Sequence, residues 1–306
     1  MSLSVTFLGT AAARPTVERG VSSLIVAREG ETLMFDCGEG TQRQMMRYGV
    51  GFSLSDIFFT HYHTDHVLGA IGLLRTLSLQ GREEPVRLWG PRGAERVLRR
   101  TTDFGVDRVS FPVEITEVEP GAPLRRDGYS ITPYAVDHGG PALGYALVEE
   151  ERRGRFNPDR AREMRIPEGP LWGKLHRGER VTLPDGRTVD ATDLVGPTRA
   201  GRRLVITGDT RPCAATIEMA AGADLLVHEA TFADEDAARA VETGHSTARE
   251  AAEVARRAGA RRLALTHLSA RYSRDASDLL REAREVFAET LVARDGMEIE
   301  VPFADD

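Results

Sequence analysis

The sequence predicts an α/β fold, because short apolar runs of strand length alternate with helical stretches over most of the chain. This alternation fills the first half and resumes with a similar pattern after residue 200. Single histidine or aspartate residues also follow several of the apolar runs. Such an arrangement is typical of a sheet-based fold with a polar site at the strand ends, and the two halves are expected to face one another.

The first half contains strand-like runs separated by helical stretches. The predicted strands are residues 5–8, 22–26, 32–35, 57–60, 86–89, 129–136 and 143–148, with the last two expected to pair. Helices are predicted from Leu68 toward Leu79 and from Pro91 through Leu98. In the second half, strands are predicted at 203–207, 224–228 and 262–266, with an alanine- and arginine-rich helix at 247–258.

Between the two halves, residues 149–180 show neither the helical nor the strand pattern of apolar residues. This stretch combines many arginines with a scatter of helix- and strand-breaking residues, namely Gly154, Pro158, Pro167, Gly169, Pro170, Gly173 and Gly178. We expect a protruding, flexible basic arm inserted in a single domain that spans residues 1–306. The alternative is a solvated loop without a function.

Composition excludes several classes of protein. Apolar residues make up 41% of the 306 residues and charged residues 28%, which is ordinary for a globular protein and excludes a mostly disordered chain. No segment reaches the run of about 18 apolar residues that a membrane span needs. The two cysteines, Cys37 and Cys213, fit free thiols in a reducing compartment, so a cytoplasmic protein without a membrane partner is expected. A net charge of −7 excludes an overall basic protein but leaves room for a local basic patch.

Four candidate metal ligands lie within six residues, directly after the apolar run 57–59. They are His61, His63, Asp65 and His66. If buried without a partner, this many imidazoles and a carboxylate would carry a high desolvation cost, which a bound cation removes. Neutral imidazole and carboxylate suit zinc and similar metals, and the absence of thiolates favours a catalytic site. A surface loop that happens to be rich in histidine is the alternative.

Three further candidates each follow an apolar strand. His138 follows residues 131–136, Asp209 follows 204–207 and His267 follows 263–266. A lone histidine or aspartate after a strand is usually a cap or turn residue. Their joint placement favours a shared site, and together with the first four they suggest a dinuclear centre.

At this point the chain resembles the metallo-β-lactamase superfamily, over nearly its whole length, through the H-x-H-x-D-H pattern and the later single ligands. The resemblance implies a four-layer αββα sandwich of two similar halves. It also implies that two Zn²⁺ ions per subunit, with Mn²⁺ as the alternative, are held by His61, His63 and His138 and by Asp65, His66 and His267, with Asp209 as the bridge. Asp36 fits an early aspartate that supports the site without binding metal.

Within the superfamily, several stretches are similar to the ribonuclease Z family, whose members trim the 3′ end of precursor tRNA. These stretches are 35–42, Thr207-Gly208-Asp209-Thr210, His228-Glu229-Ala230-Thr231, His245-Ser246-Thr247 and Ala293-Arg294-Asp295-Gly296. Residues 149–180 resemble the family's tRNA-binding arm. One loop departs, because Pro15-Thr16-Val17-Glu18-Arg19-Gly20 lacks the lysine and asparagine of the family's P-x-K-x-R-N pattern, which leaves the response to a mature CCA end open.

These resemblances imply a zinc-dependent endoribonuclease that cleaves 3′ of the discriminator region of precursor tRNA, removes the trailer and leaves a 3′-hydroxyl on the tRNA. Asp65 is expected to orient or deprotonate the attacking water, His245 to donate a proton to the departing oxygen, and Glu229 to orient His245. His245 could equally serve as a neighbour of a helix N-cap. Substrate phosphates are expected at the side chains of Arg19, Arg155, Arg165, Lys174 and Arg177.

The resemblance also implies a homodimer in which one subunit holds the tRNA that the other cuts.

Two other functions fit parts of the pattern. One is a metallo-phosphodiesterase or another small-molecule hydrolase of the same superfamily, for which a basic arm has no use. The other is an inactive nucleic-acid binding subunit, which is disfavoured because all seven candidate ligands are present.

Overall fold

The computed structural model describes residues 2–304, and within this range the main body is built on two seven-stranded sheets. The first sheet has the order β16-β1-β2-β3-β4-β5-β6. Its strands, from β1 to β6 and then β16, are Leu3–Gly9, Ser23–Arg28, Glu31–Phe35, Asp56–Phe58, Val86–Gly90, Val113–Glu117 and Glu298–Glu300. The second sheet has the order β15-β14-β13-β12-β9-β8-β7. Its strands, in chain order, are β7 Leu124–Arg126, β8 Tyr129–Ala135, β9 Leu143–Glu149, β12 Arg203–Ile206, β13 Leu225–Glu229, β14 Leu263–Thr266 and β15 Thr290–Val292.

Helices cover the outer face of each sheet. On the first sheet these are α1 Thr41–Arg47, α2 Thr64–Val67, α3 Gly69–Leu79 and α4 Ala94–Asp103. The second sheet has α7 Ala214–Met219, α8 Ala237–Thr243, α9 Ala248–Ala258 and α10 Ser277–Arg284. A capping box, in which Thr247 and Glu250 bond each other's backbone amides, fixes the start of α9.

Three hydrophobic clusters separate the layers of this body. One contains side chains of both sheets, such as Phe35 and Phe58 from the first and Tyr145 and Ile206 from the second, so it is the layer between them. A second lies under α1, α3 and α4, and a third lies under α7, α9 and α10. The described residues thus form the four-layer αββα sandwich of two similar halves that the sequence predicts.

Residues Glu149–Gly201 form a separate compact unit, 21 residues longer than the arm expected from the sequence. It holds helices α5 Pro158–Glu163 and α6 Pro170–His176 and a small hairpin of β10 Val181–Thr182 with β11 Thr188–Val189. The unit has a hydrophobic cluster of its own, formed by Ala161, Ile166, Leu175, Val181, Leu183, Val189 and Leu194. These residues therefore fold around a small core.

The predicted strands agree with those observed to within about two residues at each end. The expected pairing of residues 129–136 with 143–148 is confirmed, since β8 and β9 are neighbours in the second sheet. None of the helices that the structure describes is long and apolar enough to span a membrane.

Candidate metal centre and its surroundings

Strand ends of both sheets deliver the candidate ligands to one place. The segment after β4 carries His61 and His63, and α2 adds Asp65 and His66. From the second sheet, the segments after β8, β12 and β14 supply His138, Asp209 and His267. Parallel strands end at the same edge of a sheet, which explains why residues far apart in the chain converge.

The seven predicted ligands fall into two groups of donor atoms. His61, His63, His138 and Asp209 each offer an atom within 4.8 Å of the others, and the same holds for Asp65, His66 and His267. Asp209 connects the groups. Its Oδ2 lies 3.6 Å from His61 Nε2 and 3.3 Å from His66 Nε2, and its Oδ1 lies 3.3 Å from His267 Nε2.

Hydrogen bonds behind the histidines fix which ring nitrogen faces the centre. His66 Nδ1 lies 2.7 Å from Asp36 Oδ2, and His138 Nδ1 lies 2.8 Å from the carbonyl oxygen of Gly244. His267 Nδ1 lies 3.0 Å from the Oγ1 of Thr231. When Nδ1 of each ring donates its proton to these partners, Nε2 keeps a lone pair for a cation.

Asp36 is the early aspartate expected to support the site. Its two oxygens accept hydrogen bonds from the backbone amide and the hydroxyl of Thr60, at 2.8 and 2.9 Å. The backbone of Asp36 has φ +56°, and His267 has the same value, a conformation that costs energy for residues other than glycine. Strained residues of this kind are typical of functional sites.

The donor set fits a bound divalent metal. His61 Nε2 and Asp209 Oδ1 are buried, and no hydrogen-bond partner is found for them among the described residues. The Nε2 atoms of His66 and His267 lie only 3.3 Å apart, an arrangement that a shared cation would stabilise. Imidazole nitrogen with carboxylate oxygen is the donor set of zinc and similar metals.

Electrostatics in the cluster favour ionised carboxylates. Burial opposes the charge on Asp209, but the surrounding histidines outweigh it and hold the pKa of this carboxyl well below its usual range. Burial and the neighbouring imidazoles lower the pKa of His61 and His63, so these rings are neutral, as metal ligands must be.

His245 and Glu229 form a hydrogen-bonded pair beside the ligands. His245 Nδ1 lies 2.8 Å from Glu229 Oε1, and the same oxygen accepts the backbone amide of Thr210 at 3.0 Å. Burial lowers the pKa of His245, but the carboxylate of Glu229 outweighs it and raises the pKa above its ordinary value. Asp209, His245 and His267 also form a third group of possible metal donors, so the geometry places His245 at the centre without fixing its role.

The predicted substrate-binding residues differ in their surroundings. Arg165 and Lys174 are exposed, and neither forms an ion pair within residues 2–304. Arg177 pairs with Glu179 at 2.8 Å, and Arg155 is exposed. The unit 149–201 carries eleven arginine and lysine residues against ten aspartate and glutamate residues, so its net charge is close to zero, whereas a basic arm over residues 149–180 was expected from the sequence.

Arg19 is buried rather than presented to solvent. Its Nη1 donates to Thr10 Oγ1 and to the carbonyl oxygen of Ala293, both at 2.7 Å, and its Nε donates to the carbonyl oxygen of Ser273 at 3.1 Å. These partners lie up to 274 residues away in the chain, so the sequence could not reveal them. The guanidinium holds the loop 13–20 in place, and a direct contact with substrate stays a prediction.

Sequence reasoning missed several supporting groups. Thr231 bonds both Glu229 and His267, and Thr60 bonds Asp36. The available signals were the position of Thr60 directly before His61 and the place of Thr231 in the stretch 228–231. The backbone amide of Ala13 donates to Asp65 Oδ2 at 2.7 Å, and a backbone donor leaves no signal in the residue type.

Comparison with known proteins agrees with the fold and the site. Residues 16–267 match the family model of the metallo-β-lactamase superfamily. The architecture and the His/Asp cluster thus define a metal-dependent hydrolase of that superfamily. Ribonuclease Z of Gemmatimonas aurantiaca is 65% identical over 308 residues, covering 100% of this chain and 98% of that protein. Ribonuclease Z of Myxococcus xanthus is 57% identical, with 99% of each chain covered.

A solved structure is similar as well. The human short form of tRNase Z superposes with a TM-score of 0.72 at 29% identity, covering 98% of this chain and 100% of that one. The chain therefore belongs to the ribonuclease Z family.

Proposed function

We propose that this protein is the endoribonuclease that removes the 3′ trailer of precursor tRNA by hydrolysing the phosphodiester 3′ of the discriminator region. The main support for this function is the complete His/Asp cluster in a chain that is 65% identical to a ribonuclease Z over its full length. Hydrolysis of RNA by a metal-dependent enzyme follows from the family and the fold.

The proposed ligand set has two parts, each of which would hold one Zn²⁺, with Mn²⁺ as the alternative. His61, His63 and His138 would form the first, and Asp65, His66 and His267 the second. Asp209 would serve both, since its Oδ2 lies 3.6 Å from His61 Nε2 of the first part and 3.3 Å from His66 Nε2 of the second. When bound, the metal ions supply a nucleophile at neutral pH and stabilise charge on the phosphate.

Asp65 is proposed to orient the attacking water and to accept its proton. The Oδ2 atom of this carboxylate is fixed by the Ala13 amide at 2.7 Å and lies 3.4 Å from His267 Nε2. Burial opposes ionisation, but His267 and His66 beside the carboxylate outweigh it and hold the pKa of Asp65 below its usual range. The carboxylate therefore stays ionised and ready to accept a hydrogen bond from water.

His245 is proposed to donate the proton that the departing oxygen needs. Water attacks phosphorus, the bond from phosphorus to the 3′ oxygen breaks, and His245 Nε2 gives its proton to that oxygen, leaving the 3′-hydroxyl on the tRNA. Glu229 would support this step, because its Oε1 holds His245 Nδ1 at 2.8 Å and stabilises the protonated ring.

Arg165 and Lys174 are the arm residues best placed to bind phosphates, because their charges are exposed and not engaged in ion pairs within the described chain. Phosphate contacts of this kind position a nucleic acid without reading its sequence. The homodimer rests on the family resemblance and the cytoplasmic location on the two free cysteines, and both stay predictions.

The proposal is tested by incubating the purified protein with an end-labelled precursor tRNA and, separately, with bis(p-nitrophenyl) phosphate. We expect one cut after the discriminator region that yields a 3′-hydroxyl on the tRNA. Efficient cleavage of the small diester with no cleavage of the RNA would instead favour a small-molecule phosphodiesterase.

A further inference from the structure

Arg211 lies where three segments of the metal centre meet. Its backbone amide donates to the carbonyl oxygen of Asp137 at 2.7 Å, next to His138. Two residues before it in the chain is Asp209. Its guanidinium reaches the segment that carries His245, where Nη1 donates to the carbonyl oxygen of that histidine.

A carboxylate holds the guanidinium in this position. Arg211 Nη1 donates to Glu250 Oε2 at 2.7 Å, and Nη2 donates to Glu250 Oε1. Glu250 is itself fixed, because Oε2 accepts the backbone amide of Thr247 at 2.9 Å in the capping box of α9. A planar guanidinium can make these parallel bonds and still donate to a third acceptor, which an ammonium group cannot do with the same geometry.

The side chain of His245 is thus fixed from two directions. Glu229 holds its ring through Nδ1 at 2.8 Å, and Arg211 holds its backbone carbonyl. The preceding residue, Gly244, accepts from His138 Nδ1 at 2.8 Å, so a shift of this loop would move the ring relative to the metal ligands. Placement within a fraction of an ångström is what a proton donor requires.

We propose that Arg211, clamped by Glu250, is a positioning residue that sets the distance between His245 and the metal ligands and thereby controls protonation of the departing 3′ oxygen. This inference rests on the proton-donor role proposed for His245. Arg211 bonds the backbone carbonyl of His245, so its effect on the reaction passes through the position of His245.

The choice of leaving group tests the inference. The 3′ oxygen of RNA departs as an alkoxide unless it receives a proton, whereas the nitrophenolate of bis(p-nitrophenyl) phosphate is a stable anion that needs none. Loss of the proton donor, or of its placement, should therefore slow cleavage of RNA and spare the small diester. Loss of metal binding should slow both.

The variants are Arg211→Lys, His245→Ala and their combination, with Arg249→Lys as the matched control. Arg249 also joins two carboxylates, but these are Asp234 and Glu285 rather than Glu250. We expect Arg211→Lys to lower kcat on precursor tRNA by about 10–100-fold with KM and metal content unchanged. Its rate on the small diester should stay within about twofold of wild type, and Arg249→Lys should match wild type on both substrates.

The variant that combines Arg211→Lys with His245→Ala shows whether Arg211 acts through His245. If Arg211 acts through His245, the two changes together should cost no more than His245→Ala alone. Multiplying effects, or equal loss on both substrates for Arg211→Lys, would overturn the inference. Should Arg211→Lys fail to fold, Glu250→Gln keeps the capping box and weakens the clamp, and the same comparison applies.

Failure of the inference differs from failure of the proposed function. If His245→Ala slows only RNA cleavage while Arg211→Lys and Glu250→Gln leave it at the wild-type rate, the donor role stands and the positioning role falls. If His245→Ala itself cleaves RNA at the wild-type rate, the donor role falls and the positioning role falls with it.

Discussion

The Nδ1 atom of His66 lies 2.7 Å from the Oδ2 atom of Asp36, a carboxylate outside the proposed ligand set. Both side chains are buried, and Asp36 is anchored in turn by the amide and hydroxyl of Thr60. The contact joins the end of β3 to α2 and orients the ring of His66 toward Asp209.

Replacing Asp36 with Asn should weaken metal binding. The amide removes the negative charge that orients and polarises the imidazole, so we expect metal affinity to fall by about 10–100-fold. Competition with a chromogenic chelator measures this loss directly. Asp56→Asn is the control, because Asp56 is buried in the same sheet but bonds no candidate ligand, and an equal loss of metal in both variants would contradict the role given to Asp36.

Asp56 should instead determine stability. It accepts hydrogen bonds from Arg87 and Trp89 at 2.7 Å and from Arg126 at 2.9 Å, and Arg126 belongs to the other sheet. Burial raises the pKa of Asp56, but these bonds outweigh it and hold the pKa below its usual value. We expect Asp56→Asn to lower the free energy of unfolding by roughly 2–4 kcal/mol at pH 7.

The pH dependence of this loss has a defined sign. The pKa of Asp56 is lower in the folded state than in the unfolded chain. Its contribution to the free energy of unfolding is therefore fully present above the unfolded-state pKa of about 4, and it is lost as the pH falls through the folded-state pKa. Urea unfolding at pH 7 and in the acid range should show wild type and variant converging in acid. A difference that stays constant would mean that the charge of Asp56 contributes nothing.

Gly208 should not tolerate a side chain. Its φ is +63°, and a Cβ atom there would lie 2.6 Å from the Cβ of Thr60, next to Asp209. Gly222 has the same φ with nothing within 4 Å of a Cβ, so Gly222→Ala isolates the backbone strain, about 1 kcal/mol. We expect Gly208→Ala to cost more stability than Gly222→Ala and to lower activity about tenfold or more, whereas Gly222→Ala keeps full activity. Thermal unfolding and cleavage rates measure the two effects. Equal stability and equal activity of the two variants would argue against a tight contact at Gly208.

Arg165 and Lys174 should contribute to RNA binding. Reversing both charges, as Arg165→Glu with Lys174→Glu, is expected to raise KM for precursor tRNA by about 10–100-fold and to leave the small diester unaffected. Arg96→Glu with Arg100→Glu changes the net charge equally at exposed positions of α4 and serves as the control. If both pairs raise KM alike, the effect is one of overall charge and not of the arm.

The metal cluster was predictable from the sequence because its ligands are tied to local signals. His61 through His66 form one short motif, and His138, Asp209 and His267 each follow a recognisable strand within three residues. The sheets bring these ends together, so the convergence followed from the strand pattern. Whether each ligand binds metal stays a prediction that the measurements here address.

Other features depend on contacts that no local pattern carries. Arg19 lies in an irregular loop, and its burial follows from partners such as Ala293 at the far end of the chain. Helices α5 and α6 have six and seven residues, too few to show a helical period, so the folded unit 149–201 was not predicted. Its arginines were expected to give a positive field, but several pair with acidic neighbours, such as Arg162 with Asp159 and Glu168.

Bound metal and RNA cleavage measured in the same preparation show whether the His/Asp cluster is the catalytic metal centre. The proposed ligand set predicts two equivalents of metal per chain, loss of precursor tRNA cleavage when a chelator removes them, and recovery when Zn²⁺ or Mn²⁺ returns. Asp65→Ala should bind the tRNA nearly as well as wild type and not cut it. Cleavage at the wild-type rate by the metal-free protein, or by Asp65→Ala, would contradict the proposed function of the cluster.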